Sequence, residues 1–131
     1  KIEEGRYAGV EGSGPEYETI ACLGSNLLVE DLEAICKANE LCNRYGLDTI
    51  STGGVIGFAM ECFEHDLIKE EDTGGLKLDW GSPEVLIEMI KMIVNKKGIG
   101  EDDKKAILKE IQLNQNCFSL CLNYYFCSFV I

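Results

Sequence analysis

Two short stretches of this chain carry side chains able to do chemistry. The first, Gly14-Pro15-Glu16-Tyr17-Glu18-Thr19, sets two carboxylates and a phenol on a turn stiffened by proline. Such a turn can aim one carboxylate into a site as a general acid or base. The same residues also read as a solvated acidic turn. The second stretch is Asn43-Arg44-Tyr45-Gly46-Leu47-Asp48-Thr49, between a helix end and a glycine-rich helix. Backbone amides freed between two helices can bind a polar heterocycle, and Asp48 could accept from ring amines. Capping alone explains these residues too, with Gly46 closing one helix and Asp48 or Thr49 opening the next.

The elements that must position these stretches are mainly helical. Residues 1–29 have no helical period, and Gly5, Gly9, Gly12, Gly14 and Gly24 cut them into short pieces. They predict an irregular opening segment with one strand near Arg6–Val10. From Val29 onward, Leu32, Ile35, Cys36, Ala38, Cys42 and Tyr45 recur at helical spacing, and Gly46 supplies a left-handed stop. A second helix is expected over about 51–65, with Ile56, Ala59, Met60 and Phe63 on one face. Its Gly53, Gly54 and Gly57 call for a packing or ligand reason, since each costs roughly 1 kcal/mol against alanine. A polar loop anchored by Trp80 follows over 69–81. Ser82-Pro83-Glu84 then opens a helix with Val85, Leu86, Met89, Ile90 and Ile93 on its core stripe. A fourth helix is expected over about 101–113. The fold class is therefore mainly α, about four helices behind a short irregular or extended N-terminal segment.

The division is 1–29 as opening segment, 30–110 as a helical domain fragment and 111–131 as an atypical apolar tail. That tail carries no charged residue, and unselected or frame-shifted sequence would explain it. The chain opens at Lys1, which reads as a processed product or a piece of a longer protein.

The 131 residues carry a net charge of −11, which excludes a nucleic-acid backbone or an anionic membrane surface as main partner. A membrane span is not expected either, because asparagines and glutamines interrupt the tail. Seven cysteines without a CxxC pair read as unpaired thiols in a reducing, cytoplasmic compartment. Cys22, Cys36, Cys42 and Cys62 fall on apolar helix faces and read as small hydrophobes. Cys117, Cys121 and Cys127 match no standard metal spacing well. No metal ligand is assigned in this chain.

Taken together, the strings resemble one family. Gly12-Ser13-Gly14-Pro15-Glu16-Tyr17-Glu18-Thr19, then Asp31–Ile35, then Lys37–Gly53 and Phe58–Cys62, occur in the order and spacing of the tungsten-containing aldehyde ferredoxin oxidoreductases. The resemblance covers about residues 5–100. It implies oxidation of an aldehyde substrate to a carboxylic acid, with electrons passed to ferredoxin. It implies a tungsten-bis-pyranopterin cofactor of molybdopterin type and a 4Fe-4S cluster in the full-length enzyme. Asn43–Thr49 matches the family's first pterin motif, so Asn43, Gly46, Leu47, Asp48 and Thr49 would face a pterin. Glu18 matches a carboxylate near the metal that helps proton transfer; in the full-length enzyme its burial against Tyr17 and the apolar residues after Thr19 is expected to tune it, with Glu16 left to solvent or a structural partner.

This chain departs from the pattern in places. Position 43 is asparagine where the motif more often has aspartate, and an amide supplies no charge. The cluster cysteines, the second pterin motif and a downstream histidine are absent, and His65 is in the wrong place to replace the last. The chain alone is thus expected to be inactive and to retain neither cofactor. Homo-oligomerisation is left open. The rival reading is a small stand-alone helical binding or interaction module without catalysis. The identity of the aldehyde, and tungsten against molybdenum, are not encoded here.

Overall fold

The structure, a computed structural model, describes residues 1–95. They form four α-helices: α1 (Tyr17–Leu23), α2 (Leu32–Tyr45), α3 (Thr49–Glu64) and α4 (Pro83–Asn95), with a 3-10 turn at Ser25–Leu27. The fold is mainly α as expected, and no strand occurs among the described residues. The expected helix over 101–113, the tail 111–131 and its three cysteines lie outside the described residues.

Helix α1 occupies part of the segment expected to be irregular. Proline at 15 and an extended Glu16 precede it, and the Ile20 amide donates to the Glu16 carbonyl at 2.9 Å. The proline-led turn therefore ends at Glu16, and Tyr17, Glu18 and Thr19 are the first turn of a helix. The strand expected near Arg6–Val10 is instead a run of turns. Gly5 (φ 90°) and Gly9 (φ 88°) reverse the chain within a few residues, and bonds from Ile2 N to Val10 O and Gly9 N to Ile2 O close the loop.

Helix α2 starts at Asp31, whose carboxylate accepts from the Ala34 amide at 3.0 Å. Its buried stripe is Ala34, Ile35, Ala38, Leu41 and Cys42, with Asn39 beside it. Leu32 and Tyr45, expected on that stripe, are exposed. Helix α4 starts at Ser82, whose hydroxyl accepts from the Val85 amide. It buries Val85, Leu86, Met89 and Ile90 against α2 and the core. Leu23, Leu27, Ile56, Met60, Leu86 and Ile90 make the fully buried centre. Trp80 packs on this core and donates from Nε1 to Glu64 at 2.9 Å, anchoring the polar loop. Arg6 pairs with Glu84, holding the opening segment to the start of α4.

Candidate functional site at the helix α2–α3 junction

Two caps placed back to back build the junction. Gly46 adopts a left-handed conformation (φ 69°), the Leu47 amide donates to Cys42 O at 2.8 Å, and the Gly46 amide donates to Asn43 O at 3.4 Å. That pair of bonds is a Schellman closure, and its Gly position tolerates no Cβ without strain. Asp48 is the next cap. Its carboxylate accepts from the Ser51 amide at 2.7 Å, and its carbonyl accepts from the Thr52 hydroxyl at 2.7 Å. Hydrogen bonds from the Ser51 side chain and amide hold the Asp48 carboxyl below the usual aspartate range. Helix geometry offers the amides of Thr49 and Ile50 no intrahelical acceptor. The Leu47 amide, by contrast, is spent on the Schellman bond.

The two stretches singled out by sequence meet here. The hydroxyl oxygens of Thr19 and Thr49 lie 2.8 Å apart, joining the first turn of α1 to that of α3. One turn along, a Cβ on Gly53 would meet the Cys22 carbonyl carbon at 2.7 Å, so α1 and α3 touch backbone to backbone. The contacts advance in the same order along both helices, which brings Glu18 and Asp48 to the same end of the pair. A third tie links α2 to the opening segment: Asn43 Nδ2 donates to Asn39 Oδ1 at 3.4 Å, and Asn39 Nδ2 donates to Ser13 O at 3.3 Å.

Asn43, Gly46 and Asp48 are exposed, and Leu47 and Thr49 half-buried. Glu18 is exposed as well, and Tyr17 is 81% exposed. The expected burial of Glu18 against Tyr17 is therefore not found, because α1 turns its Thr19 and Leu23 face inward. Burial, then the negative charges of Asp48 and Glu18, push the Cys22 thiol up. Burial also pushes the Cys42 thiol up, opposed by a hydrogen bond with Thr52. Both thiols are thereby kept neutral, as small hydrophobes. Among the described residues no group of three or more His, Cys, Asp or Glu side chains could hold a metal ion.

Thr19, Asn39 and Gly53 matter to this geometry and were not singled out as site residues. Gly53 alone left a signal, as one of three glycines in a helix whose cost needs a reason.

Residues 1–107 match the family described as aldehyde ferredoxin oxidoreductase, domains 2 and 3. The chain belongs to the aldehyde ferredoxin oxidoreductase family, in the part that contributes those domains. It is 46% identical over 92 residues to the tungsten-containing aldehyde ferredoxin oxidoreductase of Pyrococcus furiosus, covering 70% of this chain and 15% of that protein. The enzyme of the same name from Thermococcus kodakarensis is 44% identical over 89 residues, 67% of this chain and 15% of the relative. A third relative, the aliphatic sulfonate oxidoreductase WOR-like subunit of P. furiosus, is 36% identical over 100 residues, 76% of this chain and 16% of its own length. The chain thus spans about a sixth of the curated relatives it matches.

Proposed function

We propose that this chain is the part of a tungsten-dependent aldehyde ferredoxin oxidoreductase that seats one pterin of the cofactor and carries a proton-transfer carboxylate. The Thr19–Thr49 hydrogen bond carries this reading, since it joins the two stretches that such a site needs at one place. An aldehyde is favoured over a sulfonate as substrate because identity to the aldehyde enzymes, 46%, exceeds the 36% to the sulfonate relative.

The donor set fits a pterin edge. Asn43 offers both an acceptor and donors, Asp48 an acceptor, and the Thr49 and Ile50 amides two donors at the positive end of a 16-residue helix. Leu47 contributes through its place in the turn and not through its amide. When bound, the tungsten–pterin group supplies the electron-accepting chemistry, and the protein binds, orients and moves protons.

Aldehyde oxidation adds one water-derived oxygen to the carbonyl carbon and releases two protons and two electrons. Glu18 takes one of those protons on its carboxylate. A 4Fe-4S cluster, held by other parts of the full-length enzyme, would supply the route for electrons to ferredoxin, and those parts would shield Glu18 from water. The compartment is the cytoplasm, where thiols stay reduced.

The test uses the intact enzyme carrying this segment. Glu18→Gln is expected to cut turnover by about 10²–10⁴-fold with tungsten and iron content unchanged, and Glu16→Gln to do little. Retained turnover, or loss of metal in place of turnover, would show Glu18 to be structural.

A further inference from the structure

We propose that Thr19 is a positioning residue for Glu18: its hydroxyl, bonded to that of Thr49 across the α1–α3 seam, fixes the first turn of α1 beside the Asp48 turn. The proposal rests on the proton-transfer reading of Glu18.

Thr19 is 6% exposed, whereas its neighbour Glu18 is exposed. Successive helical residues point roughly 100° apart. Holding Thr19 against the seam therefore dictates the direction in which Glu18 leaves the helix. A threonine hydroxyl sits on a very short stem, so a 2.8 Å bond between two of them requires close backbones. Gly53 provides that approach one turn away, where any side chain would meet the Cys22 carbonyl.

Helix α1 needs such a tie. It has seven residues, and its N-cap Glu16 makes no side-chain bond to the first turn. Helices shorter than about 12–15 residues are marginal on their own, so the direction of Glu18 is set by tertiary contact and not by the helix. The Thr19 hydroxyl gives that first turn a polar contact with α3, and Leu23 anchors the other end in the core.

The experiment compares Thr19→Val, Glu18→Gln and the double variant in the intact enzyme, with Thr19→Ser as the conservative control. Thr19→Val is expected to lower kcat by about tenfold or more, within the ~10²-fold that a 1 Å misplacement costs. KM, melting temperature and tungsten content should stay near the parent's, and Thr19→Ser should restore most of the turnover. In the Glu18→Gln background, Thr19→Val should add no further loss. An equal loss in both backgrounds, or parental turnover for Thr19→Val beside a slow Glu18→Gln, overturns the positioning role. Parental turnover for Glu18→Gln alone removes the underlying reading instead. Should Thr19→Val not fold, Thr19→Ala carries the same comparison.

Discussion

Gly53 lies so close to Cys22 that a Cβ on it would sit 2.7 Å from the Cys22 carbonyl carbon and 2.9 Å from the Cys22 Cβ. The obstruction is backbone, which cannot swing aside as a flexible side chain would. Gly53→Ala should therefore destabilise the chain by about 1–3 kcal/mol or more, despite alanine's better helix propensity. Gly14→Ala is the control, since nothing lies within 4 Å of a Cβ there. Urea unfolding monitored at Trp80 measures both. Equal stability for the two variants would mean that α1 can lift from α3 at little cost.

Asp48 caps α3, and two substitutions separate that role from the proposed pterin contact. Asp48→Ala removes the bond to the Ser51 amide and should cost about 1 kcal/mol of stability in the chain by itself. Asp48→Asn keeps an acceptor at the cap, so a drop in pterin content of the intact enzyme with little change in melting temperature would isolate the carboxylate charge as the cofactor contact. The pH dependence follows from the lowered folded-state pKa of Asp48. A depressed carboxyl pKa contributes stability that is present above the unfolded value near 3.9 and lost as pH falls through the folded value. Acid unfolding curves should therefore be flatter for Asp48→Asn than for the parent.

Leu28 combines a left-handed backbone (φ 58°) with 63% exposure. A left-handed residue with a Cβ costs roughly 1–2 kcal/mol, and asparagine bears it better. Leu28→Asn should raise the melting temperature of the isolated chain. A lower one would show that the leucine side chain is packed.

Burial divides the cysteines of residues 1–95 into two pairs. Cys42 and Cys62 are at most 1% exposed, whereas Cys22 and Cys36 are half-buried. Iodoacetamide at neutral pH, read by peptide mass mapping, should label Cys22 and Cys36 well before Cys42 and Cys62. Uniform labelling would mean that the core opens on the timescale of the reaction.

The long helices were legible because each contains enough turns to display a 3.6-residue period, and because Ser82, Gly46 and Asp48 are residues whose side chain or freedom at φ suits a cap; the Asp31 cap was not read. The phase of α2 was read too widely, since Leu32 and Tyr45 are apolar yet lie outside the buried stripe. Helix α1 escaped because seven residues make under two turns, and its cap is a glutamate without a side-chain bond. The left-handed Leu28 leaves no trace in residue type. At the junction, the Gly46–Asp48 turn could be read locally, and family resemblance put Glu18 near the metal. Their connection could not be read, because a bond between residues 30 positions apart has no local signature.

The back-to-back caps also limit how this segment can change in length. Between the last residue of α2 and the first of α3 stand three residues, Gly46, Leu47 and Asp48, and each backbone is committed to a cap. The linker holds no slack. One added residue would break one of the two caps and unseat α3, taking Gly53 away from Cys22 and Thr49 away from Thr19. Insertions and deletions should therefore be rejected here and accepted in the polar loop before α4, so length in this segment is far more constrained than composition.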